Sequence, residues 1–423
     1  MTFKTISRFN LLLFLASIFL LRLAPFYLFP IHSPLLSSHS IARYLLFFVL
    51  MTLAFHFAKR KTIQPSKTNI LILLYFVGQS LSIIHASNIQ AFFTMYKDLI
   101  FGIIIYFLGI NLLDTKSKVN IAIQLLVVTF GINLLYQLFL YFQPDLFDSI
   151  IKPFLYEKYL TVLEVNEARE KYFIEILDLT LMPILIYLLY SKKMLQKTII
   201  LILLLISTIL AFLSNFRTHL LLVMGSFLLT IPLVINSQIF RFLSIIFAFI
   251  FVFAIYSTLY NRISYTTLDR FLLINTEEVS TLTSRLTMWK EAYKMGLSSP
   301  ITGIGLGNFY DMYPYKSPIR ASIFDYKNEL EKITTTDPHN IIFATFAQAG
   351  TFGALTFLTM IAFFLYEDYK RFRNPEDNRP KFTILSFWLL FAHSLLNPGN
   401  TFIYYSLFWF LRALIDTDLR DKN

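Results

Sequence analysis

The sequence predicts an all-α, polytopic membrane protein of about twelve transmembrane helices, and three observations support that class. Of 423 residues, 56% are hydrophobic, 15% are charged and 46 are phenylalanine, far from the balance of a water-soluble domain. Apolar runs of roughly 17 to 25 residues recur along the whole length, enough for each to cross a bilayer as a helix. Basic residues alternate from one connection to the next, as their retention on the cytoplasmic side requires. A single membrane domain over 1–423 is expected, with no soluble domain at either end.

The spans read as about 9–29, 41–58, 69–86, 98–113, 120–142, 173–190, 198–213, 219–235, 241–260, 339–366, 382–397 and 401–415. The first run follows Lys4 and Arg8 but has no small-residue cleavage site and exceeds signal-peptide length, so it reads as a retained helix. With the N-terminus in the cytoplasm, the inside connections carry Lys59, Arg60, Lys61 and Lys67, then Lys116 and Lys118, then Lys192, Lys193 and Lys197. Arg241 follows, then the group Lys370 to Lys381, and the C-terminus is cytoplasmic with Arg420 and Lys422. The outside connections 30–39 and 397–400 carry neither Lys nor Arg. The net charge of +11 is therefore topological, with membrane lipids as its partner. No basic face with interleaved aromatics marks a nucleic-acid site. The absence of cysteine excludes disulfides, thiolate catalysis and Cys-ligated metal centres.

Two outside segments are long: 143–172, of mixed charge, and 261–338, a large, partly helical loop before the tenth span. Extracytoplasmic chemistry has most of its material in the second. Within it, STLTSRLTMWKEAYKMGLSSP reads as an amphipathic helix with Leu282, Leu286, Trp289 and Tyr293 in one apolar stripe, ended by Gly296 and Ser299-Pro300. Arg285 falls off that stripe; alone, it suits a solvated charge or a lipid-phosphate anchor as well as a ligand-binding group. GIGLGNF follows, with Gly303, Gly305 and Gly307. Such glycines mark plain turns or a loop whose N–H groups approach a phosphate. No strand precedes them and no Lys-Ser/Thr follows, which excludes a dinucleotide fingerprint and a P-loop.

Arg217, in SNFRTHLL, occupies an outside turn, an uncommon place for a basic residue, beside Asn215, Thr218 and His219. His339 opens the tenth span; Pro338 suits a first helical turn and Asp337 suits a cap. The positive end of a helix dipole favours the neutral imidazole that a general base requires. An interfacial histidine without chemistry fits the same position.

These features form an ordered series: Arg285-x-x-x-Trp289, then Pro300-x-x-Gly303-x-Gly305-x-Gly307-x-Phe309, then His339-Asn340, then Gly350-x-x-Gly353. The series resembles the O-antigen ligase and polymerase superfamily of bacterial envelope glycosyltransferases. SNFRTHLL resembles the family's Ser-Arg turn, with Asn215-Phe216 where the family usually has Ser, and FAHSLLNPGNTFIYYSLFWF (391–410) resembles its closing helix pair. The resemblance covers about 210–415. It implies a glycosyltransferase of the bacterial inner membrane, facing the periplasm, working without cofactor or metal on a glycan carried by undecaprenyl diphosphate. His339 would then be the base or positioning group, and Arg217 and Arg285 would hold the diphosphate. Asn340, Trp289 and the glycines 303, 305 and 307 would line the substrate site.

Ligase and polymerase share the donor and differ in acceptor, lipid A core for one and a second lipid-linked glycan for the other. The His-Asn junction and compact outer loop match the ligase better. A metal-dependent transferase would need an acidic pair outside, yet Asp416-Thr417-Asp418 lies on the cytoplasmic tail. Twelve spans also suit a transporter or flippase, for which Arg22, His56 and Asp178 are the few intramembrane ionisable residues. Lys97, Arg169 and Lys171 are further outside cations that either join a phosphate site or contact headgroups.

Overall fold

The computed structural model describes residues 3–23, 37–60, 67–143, 149, 176–191, 194–213, 217–234, 279–313, 338–373, 379–397 and 402–417. The expected ninth span, the bulk of 143–172 with Arg169 and Lys171, most of 261–338 with Asp337, Asn215, the 397–400 turn beyond Asn397, Asp418 and the side chains of His56 and Arg217 lie outside the described residues.

Every described element is a helix. They are α1 (Phe3–Arg22), α2 (Ser38–Arg60), α3 (Lys67–Ser80, continued as a 3₁₀ turn Leu81–His85), α4 (Ile89–Leu112) and α5 (Lys116–Phe142). Next come α6 (Ile176–Leu179), α7 (Met182–Ser191), α8 (Met194–Leu213), α9 (Arg217–Val234) and α10 (Val279–Ser298). The chain closes with α11 (Phe309–Met312), α12 (Ile341–Phe372), α13 (Arg379–Ser394) and α14 (Phe402–Thr417). A helix overlaps each expected span that falls within the described residues. Five stretches, Lys67–His85, Ile89–Leu112, Lys116–Phe139, Met194–Ala211 and Ile341–Phe372, are long and apolar enough to cross a membrane. The protein is thus an all-helical, multi-pass membrane protein. Exposed Leu73, Leu135 and Ile202 give α3, α5 and α8 the apolar outer faces that lipid requires.

Some boundaries move for local reasons. α4 begins at Ile89, not 98, because Asn88 caps it by accepting from Ala91 N at 3.0 Å, and because the charge of Asp98 is paired with Arg43 at 2.8 Å. The sixth span is interrupted at Thr180–Leu181 before Met182-Pro183, Pro being tolerated at a helix start. The expected stripe on α10 is corrected too. Trp289 and Tyr293 of that stripe meet Phe343 and Phe346 of α12, but Leu286 is half exposed and the buried part of the packed face is Met288, Ala292 and Met295. The packed face is therefore wider than the expected stripe and shifted from it by one position. Arg285 precedes Met288 by three residues and so falls on the packing side.

α12 is the organising element, and it is broken. Gly350 adopts φ +64, ψ −167 in mid-helix. In an uninterrupted helix Thr351 and Phe352 would donate to the carbonyls of Ala347 and Gln348. Instead Thr351 N donates to Pro300 O at 2.7 Å and Phe352 N to Ile301 O at 3.3 Å. Ile304 N and Gly305 N, both at 3.0 Å, take over the freed carbonyls of Ala347 and Gln348. Two helical bonds are replaced by four to the glycine-rich turn, so no backbone group at the break is stranded in a medium without water. A Cβ on Gly303 would fall 2.4 Å from the Gln348 carbonyl carbon, and one on Gly350 would fall 2.5 Å from that of Ile301. Gly353 allows a close helix approach: its backbone meets Gly78 of α3, where a Cβ would lie 3.1 Å from Gly353 Cα.

Candidate active site

The glycine turn is clamped on its other side as well. Asn308, fully buried, accepts from Ser87 Oγ at 3.0 Å and from Asn88 N at 2.6 Å, and donates to Asn88 O at 3.3 Å. Gln348, also fully buried, accepts from Gly307 N at 2.8 Å, and Leu306 N donates to Ser82 Oγ at 3.3 Å. With Gly303 N on Ser299 O and Asn308 N on Gly305 O, every backbone N–H from 303 to 308 donates within the protein. The phosphate-cradle reading of Gly303, Gly305 and Gly307 is corrected accordingly: the glycines join the loop to α12 and to the turn before α4, and they leave no donor for a ligand. Asn308 and Gln348 were not singled out in the sequence. The signal for Gln348 was a lone amide in an apolar helix two residues before a glycine.

That joint fixes α10 and the start of α12 relative to each other. Trp289 stacks on Phe343 with ring centroids 5.6 Å apart and an interplanar angle of 15°. Its indole N–H donates to Pro338 O at 3.0 Å. Asn340 is the cap of α12: its Oδ1 accepts from Ile342 N at 3.0 Å and Phe343 N at 3.2 Å. Its Nδ2 donates to Leu395 O at 3.0 Å, tying the junction to the end of α13. The helix therefore starts one residue after Asn340, and His339 stands outside it rather than opening it. Asn before an apolar run was the legible cap signal.

Held on both sides, His339 has φ +56, and among the described residues it alone combines a left-handed backbone with a side chain other than glycine's. That conformation costs on the order of 1–3 kcal/mol and persists only where its surroundings over-determine it, as at ligand clamps and catalytic sites. Here the surroundings are Trp289 on Pro338 and Asn340 on Leu395.

Arg285 lies one helical turn before Trp289. Its guanidinium is within electrostatic reach of His393, on the last turn of α13, and His393 is within reach of His219, in the first turn of α9. Two residues before His219, Arg217 is the first residue of α9. The structure therefore gathers Arg285, Trp289, His339 and Asn340 around the α12 start, with His393 and His219 leading to the helix that Arg217 begins. Lys97 is exposed on α4. Sequence reasoning gave His393 no role, because one histidine in an apolar helix carries no local signal. Among the described residues, no three His, Asp or Glu side chains converge where a metal ion would sit. Asp416 is committed elsewhere: it accepts from Arg412, from Arg371 at 2.9 Å and from Tyr106 at 2.9 Å.

The O-antigen ligase family model matches residues 201–358, from α8 into α12, so the motif resemblance is borne out over that stretch. The match takes in Arg217, Arg285, the glycine turn, His339 and Asn340, and ends before α13. No curated protein matches the chain.

Proposed function

We propose that this membrane transferase, which carries the O-antigen ligase domain over 201–358, is an O-antigen ligase. It transfers a glycan from undecaprenyl diphosphate to a hydroxyl of a lipid A-core acceptor at the periplasmic face of the bacterial inner membrane. Positive charge on alternate connections supports twelve spans with both termini cytoplasmic and the α10–α12 junction outside. Of the intramembrane ionisable residues that would serve transport, Arg22 and Asp178 are committed to each other: they form an ion pair, and Asn133 donates to Asp178 Oδ2 and Arg22 O, both at 2.7 Å.

The observation that carries the reading is the over-determined His339. Its imidazole takes the proton of the acceptor hydroxyl, whose oxygen attacks the anomeric carbon while the sugar–phosphate bond breaks on the opposite face. The bonding pair leaves with the diphosphate, and the configuration inverts. Such a base contributes about 10²- to 10⁴-fold. Arg217 and Arg285 receive the growing negative charge; guanidinium stays protonated and grips phosphate oxygens in a fork, so it supplies charge where other lipid-sugar transferases place a divalent ion.

The test is a lipopolysaccharide gel of a deletion strain complemented with wild type or His339→Ala at equal membrane levels. The variant should leave bare core and long chains stranded on undecaprenyl diphosphate. A core bearing one repeat unit would make the protein a polymerase, and a normal ladder from His339→Ala would remove His339 from the chemistry.

A further inference from the structure

His393 is 6% exposed, yet neither ring nitrogen has a hydrogen-bond partner. An imidazole always carries at least one N–H, and burying that donor unpaired is a net cost to folding. Native proteins rarely retain such a group without a use for it. Its place in the fold suggests the use. The carbonyl of His393 accepts from Leu396 N at 3.1 Å, and two residues on, Leu395 O accepts from Asn340, so the last turn of α13 is fastened beside His339. α13 packs on both α9 and α12. His393 therefore lies within electrostatic reach both of Arg285 and of His219 in the first turn of α9.

A group that fits among a guanidinium and an unpaired ring N–H brings negative charge and several acceptor oxygens. A phosphate does both, and a hydrocarbon tail or a neutral sugar hydroxyl does not supply the charge. We propose that His393 binds the donor: its ring N–H hydrogen-bonds a phosphate oxygen beside Arg285 and carries the diphosphate site toward the first turn of α9. This rests on the reading of that site as one for a lipid-linked diphosphate, and it extends the site to α13, beyond the stretch matched by the family model.

The experiment is thermal unfolding of the purified full chain in detergent, titrated with farnesyl diphosphate, for wild type, His393→Leu and His393→Gln. Removing an unpaired buried donor should leave the ligand-free melting temperature of His393→Leu equal to or above wild type. Its affinity for farnesyl diphosphate should fall about tenfold, as for one lost hydrogen bond to a charged group. His393→Gln, which restores an N–H, should recover part of that loss. Unchanged affinity in both variants overturns the proposal while leaving the diphosphate site standing. A ligand-free melting temperature several degrees lower in both variants, with affinity intact, marks His393 as structural and also overturns it. A wild-type protein that farnesyl diphosphate does not stabilise removes the diphosphate reading itself, and this inference with it.

Discussion

Arg412 on α14 and His393 on α13 are both buried polar groups on neighbouring helices, and their surroundings are opposite. Every nitrogen of Arg412 donates. Nη1 reaches both oxygens of Asp368 at 3.0 Å, while Nε and Nη2 reach Asp416 at 3.1 and 2.7 Å. Trp388 donates to Asp368 at 3.0 Å, Tyr106 to Asp416 at 2.9 Å, and Phe364 lies 4.1 Å beneath the guanidinium. Around His393 there is no bond to the ring at all. Two arginines, counting Arg371, and two aspartates cancel toward the C-terminal ends of α12 and α14. Arg285, beside the start of α12, is within electrostatic reach of His393, and His393 of His219. A saturated network holds helices together; a buried imidazole with no acceptor for its N–H, within electrostatic reach of a guanidinium, is suited to receive an anion.

The largest effect should come from breaking the saturated side. Arg412→Met leaves the two buried carboxylates of Asp368 and Asp416 to share the single charge of Arg371 and should cost about 3–5 kcal/mol. Thermal melts in detergent check this, and a melting temperature unchanged from wild type would show the network to be incidental.

Next in size is the joint between loop and helix. Gly350→Ala puts a Cβ 2.5 Å from the Ile301 backbone at φ +64, costing on the order of 1–3 kcal/mol from the backbone alone. Protease cleavage within 299–313 should rise sharply as the turn leaves the break, and glycan transfer should be lost with it.

The smallest stability change, and the sharpest test of the contrast, is Trp289→Phe. It keeps an aromatic ring on Phe343 and deletes the bond to Pro338, worth about 1 kcal/mol. Because that bond holds His339 in place, transfer should fall by roughly tenfold or more while the melting temperature barely moves. Equal, small losses in both would mean that Trp289 only packs.

The helices were legible because apolar length is a local property of the chain; α3, α5 and α12 follow it closely. The break in α12 was not, since the partners that make it tolerable, Pro300 to Gly305, lie some fifty residues earlier. Gly350 and Gly353 stood in the sequence only as one Gly-x-x-Gly spacing, although the first breaks the helix and the second lets α3 approach. His339, Asn340, Arg285 and Trp289 were legible as a series, but their roles separated only in three dimensions: one residue is strained, one caps, one faces the site and one pins. His393 was beyond reach, because what distinguishes it is a missing partner.

The interrupted helix also constrains how such a protein can be remodelled. Residues 299–308 and 345–352 complete each other's backbone bonding, so neither is a finished structure in a membrane without the other. A chimera that exchanges the outer loop to change the acceptor would leave the helix with four orphaned backbone groups unless the helical half travels with it. The two segments, distant in sequence, form one unit of inheritance.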